Sequence, residues 1–253
     1  MGWPCLALNL ALATAMAPLR AAGPWLIDAA SEMQLEDAAP ETRLPAPSRQ
    51  LWAISSRHAS ESCAHDVRLE YLRYEEAAGR WLPADHAEFL AADEPGAITC
   101  IYVHGNRVDP QQALRDGQVV WRQLTGCLPA EQPLRLVIWS WPSTQIEGPL
   151  QDVRVKACVS DSHAWHLAWL VDQIHAETPV SLIGYSFGAR LVCGSLHLLG
   201  GGKLADHMLA HRLHEQRPLL RVALLAGALD SPALLPHGKY HCALSQVQHM
   251  LVL

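Results

Sequence analysis

Residues 180–190 read VSLIGYSFGAR. An apolar run, Val180–Tyr185, leads directly into Ser186, and a helical pattern follows over Phe187–Leu199. The G-x-S-x-G motif at 184–188, between a strand and a helix, is typical of a nucleophile elbow. Its turn strains the serine backbone, and small residues two positions either side let neighbouring backbone pass. The stretch predicts that Ser186 is a nucleophile at a helix N-terminus, where amides favour negative charge. A plain strand-to-helix turn is the alternative.

Short apolar runs alternate with longer helical patterns from about residue 51 onward. This alternation is typical of a mainly parallel sheet covered by helices on both faces. The length fits one α/β domain, which we place at 24–253. Predicted strands cover 51–56, 67–73, 98–104, 134–141, 180–185, 219–227 and 247–253. Predicted helices cover 109–124, 153–177, 187–199 and 205–215.

A second motif, His104-Gly105-Asn106, follows the apolar strand at 98–104. A loop at this place in an α/β-hydrolase donates one amide of the oxyanion hole, the other coming from the residue after the nucleophile. The predicted donors are therefore the backbone amides of Asn106 and Phe187. Each such donor contributes roughly 2.7 to 4 kcal/mol to the transition state. For His104 itself, bracing of the loop is favoured over a catalytic role.

Three blocks, IYVHGN at 101–106, WSWPS at 139–143 and GYSFGAR at 184–190, resemble an uncharacterised bacterial branch of the α/β-hydrolases. That branch carries HGYN-like, FSWPS-like and HSMG-like blocks, and the resemblance spans about 98–230. It implies an α/β-hydrolase fold and a lipase-like or esterase-like serine hydrolase of unknown substrate. Two departures stand out: Tyr185 takes the place of a histidine, and the C-terminal part of the family is missing.

A serine nucleophile needs a histidine base and an acid, in the chain order Ser, acid, His for this fold. Asp230, at the end of the strand at 219–227, is the candidate acid, although capping of a helix at Ser231-Pro232 is favoured over that role. His241 is the candidate base, with His237 and His249 as the other possibilities.

The strands after the elbow predict an incomplete fold. Only two, at 219–227 and 247–253, follow Ser186, where the fold adds three. We therefore expect a C-terminally truncated hydrolase with an incomplete triad, which reacts weakly or not at all with serine probes.

Composition narrows the class of function. The chain has 253 residues, half of them hydrophobic, and a net charge of −6, which exclude a disordered chain and give no basic footprint for nucleic acid. The expected partner is a small-molecule ester or related acyl substrate, hydrolysed through an acyl-enzyme on Ser186. The competing hypothesis is a non-catalytic binding module or an inactive fragment of a longer enzyme.

No cofactor and no metal site are predicted, because the seven cysteines form no C-x-x-C pair and H-E-x-x-H is absent. Cys100 and Cys193 are expected to pack in the core. His207, His211 and His214 recur at helical spacing, as metal ligands do, but a solvated helix face is favoured. Core packing is likewise favoured over an acyl pocket for the tryptophans of the WSWPS block, Trp139 and Trp141.

The N-terminus carries a short apolar run over 5–17, followed by the small residues Ala21-Ala22-Gly23. This pattern favours a signal peptide over 1–23 and export to the periplasm or medium, and it is too short to span a membrane. The region before the run lacks lysine and arginine, so a cytoplasmic protein with a buried or mis-started N-terminal segment stays open. If the protein is exported, Cys63, Cys127, Cys158 and Cys242 are candidates for disulfides.

Overall fold

The structure is a computed structural model that describes residues 48–59, 67–204, 206–209, 213, 220–230 and 232–253. Within these ranges eight strands form one sheet. The strands are β1 (Arg49–Ser55), β2 (Glu70–Glu75), β3 (Arg80–Ala84), β4 (Ile98–Val103), β5 (Leu134–Ser140), β6 (Val180–Tyr185), β7 (Leu220–Leu225) and β8 (Val247–Val252). The α-helices are α1 (His86–Ala91), α2 (Pro110–Cys127), α3 (Pro149–Gln173) and α4 (Phe187–Leu199), and a 3-10 helix covers Ala243–Gln246.

The order of strands across the sheet is β3-β2-β1-β5-β4-β6-β7-β8. Strand β2 runs antiparallel to both of its neighbours, and the other pairs are parallel. Strand β6 therefore lies inside the sheet, between β4 and β7. The predicted mainly parallel α/β architecture is confirmed, with two described strands after β6.

Helices cover both faces of the sheet. Successive side chains of each central strand point to opposite faces, and each face carries an apolar core. In β4, Ile101 and Val103 belong to the core shared with α3 and α4, whereas Cys100 and Tyr102 belong to the core under α2. All residues of β4 are buried, as its continuous apolar run predicted, and β5 is also fully buried although it contains Arg135. The carboxyl ends of parallel strands lie on the same side of the sheet. The residues that follow β4, β5 and β6 therefore lie close together there.

Two elements at the sheet edge were not predicted. Strand β3 contains Pro83, which lacks an amide to donate and is therefore suited to an edge strand. Helix α1 begins with a capping box in which Asp85 and Glu88 bond each other's backbone amides. The spacing Asp85-x-x-Glu88 was the available signal, and it was overlooked because the helix has only six residues.

Other boundaries differ in detail. The second strand begins at Glu70 rather than at 67, and α3 begins at Pro149, where proline fits the first helical position. The helix predicted over 205–215 is wrong where it can be checked, since Leu204 and His207 form an isolated bridge. The histidines at 211 and 214, the segment 1–23 and Cys63 lie outside the described residues.

The cysteine predictions are partly tested. Cys100 and Cys193 are buried core residues, as expected, while Cys158 and Cys242 carry free thiols and Cys127 is exposed.

Among the helices within the described ranges, none combines the length and apolar character that a membrane crossing needs.

Candidate active site

Ser186 has a left-handed backbone conformation, with φ of 52° and ψ of −116°. Such a conformation costs a non-glycine residue on the order of 1–3 kcal/mol and persists only where its surroundings fix it. Here the Ser186 amide donates to the Leu225 carbonyl at 2.9 Å, and the Ser186 carbonyl accepts from the amides of Ala189 and Ala228 at 3.0 and 3.1 Å. The predicted strained turn is therefore observed, held between β7 and the first turn of α4.

The two glycines of the motif are explained by close backbone approach. A Cβ atom on Gly184 would lie 2.6 Å from Ala189 Cα, and one on Gly188 would lie 2.1 Å from the Val103 carbonyl oxygen. Real Cβ atoms do not approach backbone this closely. Both positions therefore admit only glycine without a shift of backbone, and the N-terminus of α4 packs directly on the end of β4.

The loop after β4 lies against the elbow. A Cβ atom on Gly105 would be 3.3 Å from Ser186 Cβ and 3.0 Å from the ring of Tyr185. Gly105 therefore lies against the elbow, and Asn106 is the residue that follows it. Among the described residues, no group accepts a hydrogen bond from the backbone amide of Asn106 or Phe187, and Ser186 makes no side-chain cap on α4.

A buried carboxylate, Asp152, fixes the conformation of this loop. Its Oδ2 accepts hydrogen bonds from Asn106 Nδ2 at 2.8 Å and from Arg107 Nε at 3.0 Å, and its Oδ1 accepts from the Ile146 amide at 3.2 Å. Burial raises the pKa of Asp152, but these hydrogen bonds and the charge of Arg107 outweigh burial and leave the pKa below its ordinary value. Asp152 therefore remains an anion that positions Asn106.

His104 braces the loop from beneath, as favoured from the sequence. Its ring is fully buried and stacks on Trp141, while its Nδ1 donates to the Gly105 carbonyl at 2.9 Å. The His104 carbonyl accepts from Trp141 Nε1, also at 2.9 Å. Burial lowers the pKa of His104 to about 3, a shift that the Gly105 hydrogen bond opposes and the charge of Arg57 reinforces. His104 is thus neutral and structural.

Arg57 joins three segments at the same edge of the sheet. Its guanidinium donates to Ser140 Oγ at 2.7 Å, to Thr144 Oγ1 at 3.1 Å and to the Val108 carbonyl at 2.8 Å. Burial lowers the pKa of Arg57 to about 10, which still leaves it charged at neutral pH. Arg57 therefore connects the end of β1, the end of β5 and the loop after β4.

The burial of two histidines leads us to expect a free energy of unfolding that depends on pH. Burial lowers the pKa of both His104 and His163 from 6.5 to about 3, helped at His163 by His166, Arg57 and Lys156. Between these values the unfolded chain binds more protons, so the free energy of unfolding is highest above about pH 6.5 and falls on acidification. At pH 5 the expected loss is about 2 kcal/mol for each histidine, measured by urea unfolding at pH 7 and pH 5.

The matched variant for this prediction is His163→Gln, in which about half of the decrease between the two pH values should disappear. Equal free energies of unfolding at pH 7 and pH 5 in the unmodified protein would contradict it.

Asp230 lies in the loop after β7, on the same edge of the sheet as Ser186, and is exposed. Asp230 is close enough to Arg190, in the first turn of α4, to act on its charge. The Nη2 atom of Arg190 donates to Asp161 at 3.1 Å. Burial lowers the pKa of Arg190, but Tyr240, Asp161 and Asp230 outweigh burial and raise it. Asp161 also accepts from Tyr240 at 2.5 Å and from Lys239, which anchors the loop that follows Asp230.

The structure does not bring the candidate base His241 to Ser186. The His241 ring packs on His197, with ring centroids 4.8 Å apart, and its Nδ1 donates to the Gly238 carbonyl. His197 is in the last turn of α4, about 16 Å along the helix from Ser186 at 1.5 Å per residue. The prediction of His241 as the base is therefore wrong. After β7 the chain crosses to the amino-terminal end of the sheet, where β8 begins, and His241 lies at that end, away from Ser186.

The other candidate bases are also not bonded to Ser186. His237 is exposed and has a left-handed backbone, and His249 is exposed on β8, paired with Arg221. Within the described ranges, no histidine donates to or accepts from the Ser186 hydroxyl.

The tryptophans of the WSWPS block are core residues. Trp139 and Trp141 are fully buried in the core beneath α3 and α4, so they do not line an open acyl pocket. A cavity of about 1150 Å³ opens near β1 and β2, lined in part by Trp165, Trp169 and Arg57. Its lining contains neither Ser186 nor the predicted oxyanion residues. We therefore do not assign this cavity to the reacting acyl group.

Sequence reasoning missed Asp152, Arg57 and Asp161. An acidic residue in the first turn of a helix, such as Asp152 in α3, is ordinary because it complements the helix dipole. Its role becomes visible only when the loop at 105–107 is brought against it. No local pattern in the sequence marked these three residues.

No protein-family model and no curated protein matches this chain. A solved structure, an iodinated complex of an acetyl xylan esterase, is similar over 63% of this chain and 83% of that chain, with 12% identity and a TM-score of 0.38.

Proposed function

We propose that this chain is a serine hydrolase that cleaves an ester or a related acyl bond through an acyl-enzyme on Ser186. The observation that carries the proposal is the left-handed Ser186 between β6 and α4, with the loop of Gly105 and Asn106 packed against it. Strained serines at a strand–helix turn are found where the hydroxyl must project above the sheet. The three sequence blocks that resemble an α/β-hydrolase branch support the same function.

In the proposed reaction, Ser186 Oγ attacks the acyl carbon and loses its proton to a general base. The amides of Asn106 and Phe187 donate to the oxyanion that forms, and the negative charge also lies at the positive end of α4. As the intermediate collapses, the base gives the proton to the leaving oxygen, so the alcohol departs and leaves an acyl group on Ser186, which water then hydrolyses to the carboxylic acid. Asp152 contributes by holding Asn106, and Asp230 remains the proposed acid because its exposed carboxylate follows β7.

The step that needs a partner is proton removal from Ser186. Among the described residues no histidine is bonded to its hydroxyl, but catalytic hydrogen bonds are often formed only in the substrate complex. The same observation favours a second candidate function, a non-catalytic binding module. The two functions differ in one property, since only the hydrolase forms a covalent acyl intermediate.

The experiment is intact-mass spectrometry of the protein after brief reaction with p-nitrophenyl acetate and an acid quench. The hydrolase proposal predicts a species heavier by one acetyl group, located on the peptide that contains Ser186. An unmodified mass in folded protein, or acetylation confined to other peptides, supports the binding module instead.

A further inference from the structure

A cluster of metal-ligating side chains lies at the amino-terminal ends of the parallel strands, whereas Ser186 lies at their carboxyl ends. It consists of His197 in the last turn of α4 and the adjacent pair His241 and Cys242, which precede the 3-10 helix before β8. Each residue offers one ligand atom, and these atoms lie within 4.8 Å of one another. We propose that His197, His241 and Cys242 bind a zinc ion.

The ligand set fits zinc by its chemistry. Imidazole nitrogen and thiolate sulfur bind Zn²⁺ at about 2.0–2.1 and 2.3 Å, which places the ligand atoms of a tetrahedral site about 3.5 Å apart. The atoms of this cluster lie up to 4.8 Å apart, so binding has to bring them closer, and the half-buried Cys242 side chain is the one left to rotate. Three protein ligands leave the fourth position of the ion for water.

Hydrogen bonds orient both histidines for this role. The Gly238 carbonyl accepts from His241 Nδ1 at 3.0 Å, which leaves the lone pair on Nε2. The Lys203 carbonyl, 3.2 Å from His197 Nε2, accepts from that nitrogen, and the lone pair of His197 is therefore on Nδ1. Carbonyl partners of this kind fix the tautomer of metal-bound histidines.

His197 is also held in a fixed position. Its ring is buried against Gly202, where a Cβ atom would lie 2.2 Å from Nε2. The Cys242 amide donates to His197 Nδ1 at 3.2 Å, so zinc binding at Nδ1 has to break this hydrogen bond.

The zinc ion joins the end of α4 to the turn that begins β8, the strand at the edge of the sheet. An ion that binds the folded chain and not the unfolded chain stabilises the fold. Zinc is therefore expected to raise the unfolding temperature of the protein, and the gain requires Cys242. This role is independent of the chemistry proposed for Ser186.

The test uses chelator-stripped, reduced protein, titrated with Zn²⁺ in competition with a chromophoric chelator and, separately, with Co²⁺. We expect stoichiometric binding of one ion and, with Co²⁺, a thiolate-to-metal charge-transfer band. Cys242→Ser should abolish this band and weaken Zn²⁺ binding by more than the roughly 10–100-fold that loss of an outer-shell partner costs. The matched control, Cys158→Ser on α3, should behave as the unmodified protein does.

His241→Gln, a change at an exposed side chain, gives a second reading if Cys242→Ser does not fold, and it should also weaken binding. The proposal is overturned if Co²⁺ gives no thiolate band, or if zinc affinity and unfolding temperature are unchanged in folded Cys242→Ser or His241→Gln.

Discussion

If a general base completes the site in the substrate complex, Ser186→Ala is expected to lower the turnover of an activated acyl ester by about 10⁶-fold, because the nucleophile and its partners act as a unit. The variant should fold, since the backbone hydrogen bonds of Ser186 to Leu225, Ala189 and Ala228 do not involve its hydroxyl. The measurement is steady-state hydrolysis of a p-nitrophenyl ester, with circular dichroism to verify folding.

The matched control is Ser162→Ala on α3, whose hydroxyl donates to the Cys158 carbonyl and lies outside the elbow. It should retain full turnover. Equal turnover in Ser186→Ala and the unmodified protein would assign the measured activity to another residue.

Gly188→Ala should be strongly destabilising, by at least about 3 kcal/mol in the free energy of unfolding. The added Cβ atom meets the carbonyl oxygens of Val103 and His104 at 2.1 and 2.7 Å, so either β4 or the first turn of α4 must move. Both contacts are with backbone, which cannot rotate away. Urea unfolding measures the loss.

Gly126→Ala provides the comparison for Gly188→Ala, because it adds the same methyl group where no atom lies within 4 Å. Gly126 is near the end of α2, and the change should be neutral or stabilise the helix by about 0.5–1 kcal/mol. A Gly188→Ala protein as stable as Gly126→Ala would show that the elbow is not packed on β4 as described.

The elbow could be predicted from sequence because its determinants are local. An apolar strand, a serine between two glycines and a helix are adjacent in the chain, and each restricts the backbone of the next. The same holds for β4, whose continuous apolar run follows from burial on both faces. The approach of Gly105 to Ser186 follows from the pairing of β4 with β6, whose carboxyl ends are adjacent.

The other residues of the candidate site could not be predicted, because their positions depend on contacts between segments that are distant in the chain. Asp152 is brought to Asn106 only by the packing of α3, and Arg57 reaches Ser140 only because β1 pairs with β5. The choice of His241 as base relied on chain order alone, which cannot tell one edge of the sheet from the other. Its actual neighbours, His197 and Cys242, were invisible as a group because 45 residues separate Cys242 from His197.

The most direct test of the central claim, that Ser186 is an activated nucleophile, is labelling of the purified protein with a fluorophosphonate probe, followed by mass spectrometry of the modified peptide. A fluorophosphonate reacts with a serine whose hydroxyl is activated and exposed to an oxyanion hole. The account predicts one adduct on Ser186, formed slowly because no described histidine contacts its hydroxyl, and no adduct in Ser186→Ala. A folded protein that stays unlabelled after prolonged exposure, or that carries the adduct on another serine, would contradict the assignment of Ser186 as the nucleophile.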